Sequence, residues 1–518
     1  MRRDLSQLAN RSFDLLVVGA GIHGACIAWD ASLRGLSVAL LDSGDFGAAT
    51  SANSLRIVHG GLRYLARADF PRMLESIRER TALLRIAPHL VEPLPVLVPT
   101  YAGSALRGNL AYRIGLAAND VISWGWNRKL QPTERIPRGR LVSRTECLRL
   151  FPWFPTQGLT GGAIWYDARI RHPERLTFSF VCSASRRGAV AANYVRVDRL
   201  LLRNGVVEGA AVSDVIDGAA FEIRAKTTVV AAGPWTQPLI ACTLGRRSPT
   251  PQGPTGALAL NLVIGRQLAQ VAVGTQSHTG PAGDPVCGGY RFLFMNPQPG
   301  STLLGTWYSG VAAADVTSVC QLGAFHLLSE FNEACPGLEL SSNDVVRYQW
   351  GWLPLKAGRE PGPPQSLADR PMITDHGRWA GVAHLFSVEG VKYTTARRVA
   401  ERVVDEIFRD LDRASPPCQT AELPLEGSGA IAFPESDGAM EKSSILQAVR
   451  DEMAVKLSDI VFRRSNVGAL PRLQRTRLDE IAAIVGAELG WSVRRREAEI
   501  EDVLRQAAVP TAVMEPVG

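Results

Sequence analysis

No stretch of about 18 uninterrupted apolar residues occurs in the chain, which excludes a transmembrane helix. Cysteine is sparse and scattered. The eight (Cys26, Cys147, Cys182, Cys242, Cys287, Cys320, Cys335 and Cys418) contain no C-x-x-C pair, so neither a disulfide frame nor a metal site is expected. Charge of one sign is not concentrated either: 57 Lys and Arg against 50 Asp and Glu leave +7 over 518 residues. The basic clusters Arg463-Arg464 and Arg494-Arg495-Arg496 read as solvated helix faces, and with no zinc-finger spacing or aromatic RNA-binding signature, nucleic acid is not an expected partner. Internal repeats and low-complexity tracts are absent. Met1-Arg2-Arg3 imitates the start of a leader, but Asp4 and Asp14 interrupt it and the apolar run from Leu15 reads better as a strand. A cytoplasmic protein is expected.

What is present begins at FDLLVVGAGIHGACIAWDASLRGLSVALLDSGD, residues 13–45. Leu15–Val18 reads as a buried strand, residues 22–34 as a helix closed by Gly35, and Ser37–Leu41 as a second strand ending at Asp42. Gly19, Gly21 and Gly24 supply G-x-G-x-x-G between strand and helix. The first glycine permits a tight turn, the second lets the backbone reach a pyrophosphate, and the third lets helix and strand pack closely. The helix N-terminus offers N–H groups to the anion, and Asp42 can accept from ribose hydroxyls. His23, inside the loop, reads as incidental. Strand, glycines, helix, strand and terminal acid together predict a dinucleotide site.

The next strand signal is late, at TTVVAAGPW (227–235), where Ala231, Ala232 and Gly233 allow backbone to pack against the adenosine half of a cofactor, with Trp235 beside them. HLFSVEGVKYTTARRVAERVVDEIF (384–408) reads as a strand, a glycine turn at Gly390 and a long amphipathic helix. Three separated segments around one ligand suit the extended FAD molecule better than NAD. SANSLRIVHGGLRYL (51–65) adds an imidazole, His59, beside two glycines.

These stretches, with RERTALLRIAPHLVEPLP (78–95), WYDARI (165–170), GVKYTTARR (390–398) and RDEMAVKLSDIVFRRSNVGAL (450–470), resemble the FAD-dependent glycerol-3-phosphate dehydrogenases and oxidases, among the D-amino-acid-oxidase-like flavoproteins. The resemblance covers nearly the full length, dense before residue 100 and thin between about 240 and 375. It implies an α/β protein: a discontinuous Rossmann-type FAD domain (roughly 1–100, 160–240 and 375–412), an antiparallel-sheet substrate domain (roughly 101–159 and 241–374) and a C-terminal helical domain (roughly 425–518). Ala414–Ser436, rich in Pro, Gly and Ser, leads into the last. It further implies that Gly19, Gly21, Gly24 and Asp42 hold the ADP half, and that Thr50, Ser51 and Ser54 approach the pyrophosphate and ring. His59, Gly60 and Gly61 would lie beside the isoalloxazine, with Arg63 and Tyr64 facing the substrate. Lys392, Thr394 and Thr395 would sit at the pyrimidine end, where a cation and a helix N-terminus favour the negative charge of reduced flavin. Oxidising a carbinol needs a base while hydride leaves for the flavin, and His59 suits that role near neutral pH.

The chain departs from the family where a substrate phosphate is held. Gly351-Trp352-Leu353-Pro354-Leu355 replaces G-V-R-P-L, with Leu353 in the arginine's place; Ile373-Thr374 is followed by Asp375 and His376 instead of an arginine. Gly256-Ala257-Leu258 replaces G-S-H, and Gly305-Thr306-Trp307-Tyr308 replaces G-T-T-D. Leu258, Trp307, Tyr308, Trp350, Trp352 and Leu353 predict an aromatic, apolar pocket, with Arg359 or Arg370 as stand-in cations. The expected reaction is FAD-dependent oxidation of a CH–OH group in a small molecule other than plain glycerol 3-phosphate. Glycerol-3-phosphate dehydrogenase itself, an amine oxidase and a non-catalytic flavoprotein scaffold are the alternatives; a monooxygenase lacks its G-D-A motif, since Val388-Glu389-Gly390 stands there. The electron acceptor (quinone, oxygen or a carrier protein), peripheral membrane contact on the inner face and self-association stay open.

Overall fold

The computed structural model describes residues 1–61, 69–103, 109–245, 254–277, 291–309, 315–356, 367–426 and 440–509, and two sheets organise it. Apolar runs without polar alternation mark parallel strands covered on both faces. Two such runs become β1 (Ser12–Val18) and β2 (Val38–Leu41), paired in parallel. β10 (Ala220–Val230) joins the other edge of β1, β17 (Leu385–Glu389) joins β10, and β7 (Val190–Ala192) joins β2, all parallel. β16 (Met372–Asp375) adds an antiparallel edge, and the hairpin of β8 (Val195–Arg203) and β9 (Val206–Asp214) extends from β10. Helices α1 (Ile22–Leu33), α4 (Pro173–Arg186) and α6 (Ala396–Asp410) cover one face around Ala25, Leu176 and Val403. The three separated segments expected to wrap one ligand thus become neighbouring parallel strands, β1, β10 and β17.

The second sheet is largely antiparallel. Its order is β15 (Val345–Leu353), β11 (Ala257–Ile264), β14 (Ser301–Tyr308), β13 (Arg291–Gln298), β12 (Ala272–Ser277), β4 (Val91–Tyr101), β6 (Leu159–Ile170) and β3 (Ile57–Val58), with β5 (Arg140–Ser143) on β6. β4 and β6 fall within segments that the expected division gives to the nucleotide-binding part, yet they pair here. Helix α5 (Val316–Ala334) closes one face of this sheet over a core of Leu258, Leu260, Leu293, Leu304 and Leu327.

Helices α2 (Phe70–Ile86) and α3 (Asn109–Asn127) pack beside β4 and β6. Helix α3 is apolar on both sides: Leu116 is buried, and Tyr112, Ile122 and Trp126 pack inward. Its inward stripe includes Asn119 and Ser123, both buried, while Leu110, Ile114, Val121 and Trp124 stand 71, 62, 72 and 54 % exposed along its outward stripe. Arg113 and Arg128 share that outer side.

The C-terminal segment is helical: α7 (Lys442–Asp451), α8 (Arg475–Leu489) and α9 (Val493–Ala507) enclose Ile445, Leu478, Ile481 and Ile500. Between α7 and α8, Leu457–Asp459 runs into one turn of π-helix, Ile460–Arg464. Here the reading of Arg463 and Arg464 as a solvated face fails. Both are buried, because Asp45, in the loop after β2, supplies a carboxylate that pairs with each. Arg494 and Arg495 are exposed. None of the seven described cysteines is in a disulfide.

Candidate active site

A cavity of about 960 Å³ lies where the carboxyl ends of β1, β2, β10 and β17 meet the second sheet, the position at which open α/β sheets take ligands. That size suits a long ligand, near the upper end of the roughly 300–1,000 Å³ of small-molecule sites. It runs from Asp42, Arg196 and Asp198 past the turn after β1 to a wall of Ala259, Asn261, Thr306, Tyr308, Gly351 and Leu353.

The turn after β1 leaves no space for side chains. Gly19 has φ +96°, and a Cβ there would lie 2.7 Å from the Ala231 carbonyl oxygen; at Gly24 it would lie 1.8 Å from the Gly19 oxygen. Ala231 and Ala232 therefore press backbone to backbone against the turn. Gly21 caps α1 without a side chain, and the Ile22 N–H donates to Ser51 Oγ at 3.0 Å. Asp42 accepts from the Ala20 N–H at 2.7 Å and from the Gly44 N–H at 2.9 Å, which ties the acid to the turn. Burial pushes its carboxyl up to about 6, against the lowering effect of those two N–H groups. A backbone open to close approach, a helix N-terminus and an acid at the end of β2 fit the pyrophosphate and ribose of FAD.

Of the residues expected at the cofactor, Gly19, Gly21, Asp42, Thr50, Ser51, Ser54, Ala232, Gly233, Trp235, Gly390 and Lys392 line this one cavity. Gly24 lies beneath the turn, and Thr394 and Thr395 are buried at the start of α6, off the wall. Thr50 Oγ1 accepts from the Trp352 N–H at 3.1 Å and lies 3.3 Å from the Trp352 carbonyl, joining the two sheets across the cavity.

Strand alternation corrects the expected substrate wall. Leu353 faces the cavity, but Leu258 and Trp307 do not: both turn to the core under α5, where the Trp307 ring stacks on His326 at 6.4 Å. Trp352 meets the cavity and also packs into that core. The wall is formed instead by their neighbours, Ala259, Thr306 and Tyr308. Asn261 accepts from Thr306 Oγ1 at 2.7 Å and donates to the Asn53 carbonyl at 3.0 Å. Asp375 faces no anion site; it caps the short helix His376–Ala380 by accepting from Gly377 and Arg378 N–H groups. Arg370 is exposed and off the wall, and Arg63, Tyr64 and Arg359 lie outside the described residues.

His59 is not on the cavity wall. It follows β3, at the far edge of the second sheet: its ring packs on Phe294 at 5.4 Å, and Phe294 lies opposite Gly305, next to the wall residue Thr306. Its Nδ1 is 3.2 Å from Asp167 Oδ2. Asp167 also accepts from the Gly60 N–H at 2.6 Å and has Arg80 Nη1 at 3.6 Å. Burial would raise the Asp167 carboxyl, but His59, Arg80 and the Gly60 N–H hold it below the usual carboxylate range. Gly60 and Gly61 pack against Arg80 and Met73 of α2. Sequence reasoning missed Asp167, Arg80 and Asn261 as site residues, whereas Tyr308, expected in the pocket, lines it. The acid stood inside WYDARI, but only strand pairing reveals that it meets His59.

The family model described as FAD dependent oxidoreductase matches residues 14–406, and that of the C-terminal domain of alpha-glycerophosphate oxidase matches residues 435–496. The chain is 32% identical over 453 residues to a glycerol-3-phosphate dehydrogenase of Synechocystis sp., covering 85% of this chain and 78% of that protein. It is 28% identical over 445 residues to the aerobic glycerol-3-phosphate dehydrogenase of Staphylococcus aureus, covering 84% and 74%. The solved structure of the glycerol-3-phosphate dehydrogenase from Bacillus halodurans complexed with FAD shares the fold with a TM-score of 0.70, at 22% identity and over 98% of both chains.

The position of Asp42 has a measurable consequence. Its folded carboxyl titrates at about 6, above the ordinary 3.8, so its proton favours the fold. That contribution is fully present below about pH 4 and is lost as pH rises through about 6. In the cofactor-free chain, the gap in urea midpoint between wild type and Asp42→Asn is therefore expected to move in favour of wild type as the pH falls from 7 to 5. A gap independent of pH would show that the carboxylate is not held against its charge.

Proposed function

The chain belongs to the FAD-dependent oxidoreductases of the glycerol-3-phosphate dehydrogenase type, and from that premise we propose that it oxidises the CH–OH group of a hydroxylated metabolite bearing little or no phosphate. The observation that supports this reading is the wall opposite the nucleotide turn, which presents Leu353, the residue at the position where the resemblance implies a phosphate-binding arginine. Among the described residues of that wall there is no arginine, and Lys392 is the cation of that end. A phosphate dianion in a partly dry pocket calls for charge-assisted partners, best supplied by guanidinium forks. Asn261, Thr306 and Tyr308 offer hydroxyl and amide groups suited to a neutral polyol.

When bound, FAD supplies the acceptor for the two electrons that leave as hydride. In this reading the chain's own residues do the rest. Gly19, Gly21, Ser51 and Asp42 hold the nucleotide end, and Lys392 places positive charge at the opposite end. Asp167, kept ionised, holds His59 through Nδ1 so that Nε2 can take the carbinol proton; because His59 stands off the described wall behind Phe294, this role requires the carbinol to reach past that ring. Asp167 is thus a positioning residue for the base. The second reading, glycerol-3-phosphate oxidation as the relatives' names state, is favoured by the overall likeness to them and requires a cation from outside the described wall.

The exposed stripe of α3 carries a partner proposal. An apolar stripe ending in Trp124 and flanked by Arg113, Arg128 and Lys129 has the make-up of a helix lying in an anionic lipid interface. Among the described residues no helix is long and apolar enough to cross a membrane.

Four outcomes are expected. An arginine fork is worth roughly 1.5–3 kcal/mol, so Leu353→Arg should tighten glycerol 3-phosphate by about tenfold to a hundredfold. In the unaltered chain, unphosphorylated alcohols should bleach the flavin anaerobically faster than glycerol 3-phosphate, with amines as controls. Micromolar affinity for glycerol 3-phosphate before substitution would establish the second reading. His59→Ala should slow flavin reduction by about 10²–10⁴ and Asp167→Asn by a part of that; unchanged stopped-flow rates would place the base elsewhere. Vesicles containing phosphatidylglycerol should sediment the protein where phosphatidylcholine does not, and Ile114→Glu with Val121→Glu should abolish this. Equal sedimentation of the doubly substituted chain would exclude α3 as the contact.

A further inference from the structure

The loop from Asp42 to Ala48 has two sides. One lines the cavity through Asp42, Ser43, Gly44, Asp45, Gly47 and Ala48, and the Gly47 N–H donates to the Ala20 carbonyl at 3.0 Å, joining the loop to the glycine turn. The other side is held by the C-terminal helical segment. Arg464 grips Asp45 with both ends of its fork, Nη1 to Oδ2 at 2.8 Å and Nη2 to Oδ1 at 2.9 Å. Arg463 Nε adds a third contact at 2.5 Å, and Asn193 Nδ2 a fourth at 3.0 Å. Arg464 is wholly buried and lies 3.9 Å from the Phe178 ring, and Arg463 also reaches Asp459 at 2.6 Å. Two adjacent residues of an α-helix point about 100° apart. Both guanidinium groups converge on one carboxylate from the turn of π-helix, a feature found often at functional sites.

Fold stability alone explains this arrangement poorly. Desolvating two arginines for shared carboxylates is weak as a source of stability, whereas such pairs impose geometry well. The geometry imposed here is that of the loop whose other face carries Asp42. We propose that Arg464 and Arg463 are positioning residues for the cofactor: through Asp45 the C-terminal helical segment sets the loop that receives the adenosine end of FAD, so docking of that segment and cofactor affinity are coupled. This rests on the reading that FAD occupies the cavity with its nucleotide end at Asp42. Coupling through a packed network of this kind typically spans about threefold to thirtyfold in affinity.

The test uses full-length holoenzyme carrying Arg464→Met, and Asp45→Asn as a near-isosteric second variant should the first not fold. FAD release on dilution, followed by flavin fluorescence, is expected to quicken by about threefold to thirtyfold. The full chain stripped of flavin is then titrated with ADP and, separately, with FMN. ADP affinity should fall by the same factor while FMN affinity is unchanged, because the loop meets only the adenosine end. Unaltered FAD release and ADP affinity, or equal weakening of ADP and FMN, would overturn the proposal, the latter being what general loosening of the fold produces. An unsubstituted chain that retains neither FAD nor ADP would overturn the reading of the cavity and this inference with it.

Discussion

The close approach of the turn after β1 to the backbone of Ala231 and Ala232 is the constraint on which the rest of this molecule depends. With no Cβ at Gly19 or Gly24, α1 begins almost on top of the strand, and the chain leaving β10 presses against the same turn. That contact brings a strand near residue 15 and another near residue 228 into register, and β17 then adds beside β10. Asp42 secures the turn from the other side by accepting the Ala20 N–H. Everything that lines the cavity is referred to this one junction.

The second sheet acts as a wall whose chemistry is decided by a period of two. On β11, Leu258, Leu260 and Leu262 turn inward to the core beneath α5, while Ala259 and Asn261 meet the cavity. On β14 the same alternation hides Trp307 and presents Thr306 and Tyr308. A shift of one residue in either register would exchange the two sets and turn a hydroxyl-lined wall into an aliphatic one. The cross-sheet bonds of Thr50 to Trp352 and of Asn261 to Asn53 guard against such a shift, since both tie the wall to the loop that follows β2.

Charge inside the protein is used for placement. Arg397 of α6 meets Glu79 of α2 at 2.6 Å, both buried, which fixes the helix that follows the Gly390–Thr395 turn. Arg175 holds Glu452, and Arg463 and Arg464 hold Asp45, so the C-terminal helices are bound to the first sheet by paired ions. Removing one member of such a pair strands the other in a poor solvent for charge. The nucleotide loop, the helices beneath it and the C-terminal segment are thereby linked in position.

The sequence by itself determined the nucleotide-binding half. A glycine spacing between two apolar runs, an acid after the second and a later apolar run ending in small residues are local patterns, and local patterns survive without knowledge of the fold. Leu353 was legible for the same reason, as one residue changed within a short motif. Tertiary structure alone decided the wall and the partners. Leu258 and Trp307 sit at the motif positions, yet whether a strand residue faces a cavity or a core depends on which face the neighbouring helix covers, and α5 lies about 50 residues or more beyond β11. Asp167 became the partner of His59 only because β3 pairs with β6 across more than 100 residues. Two adjacent arginines look solvated in any one-dimensional reading; here Asp45, 418 residues earlier than the first of them, made them internal. Long-range pairing of charges leaves no periodic trace in a sequence, because it depends on the separation of groups in space and not along the chain.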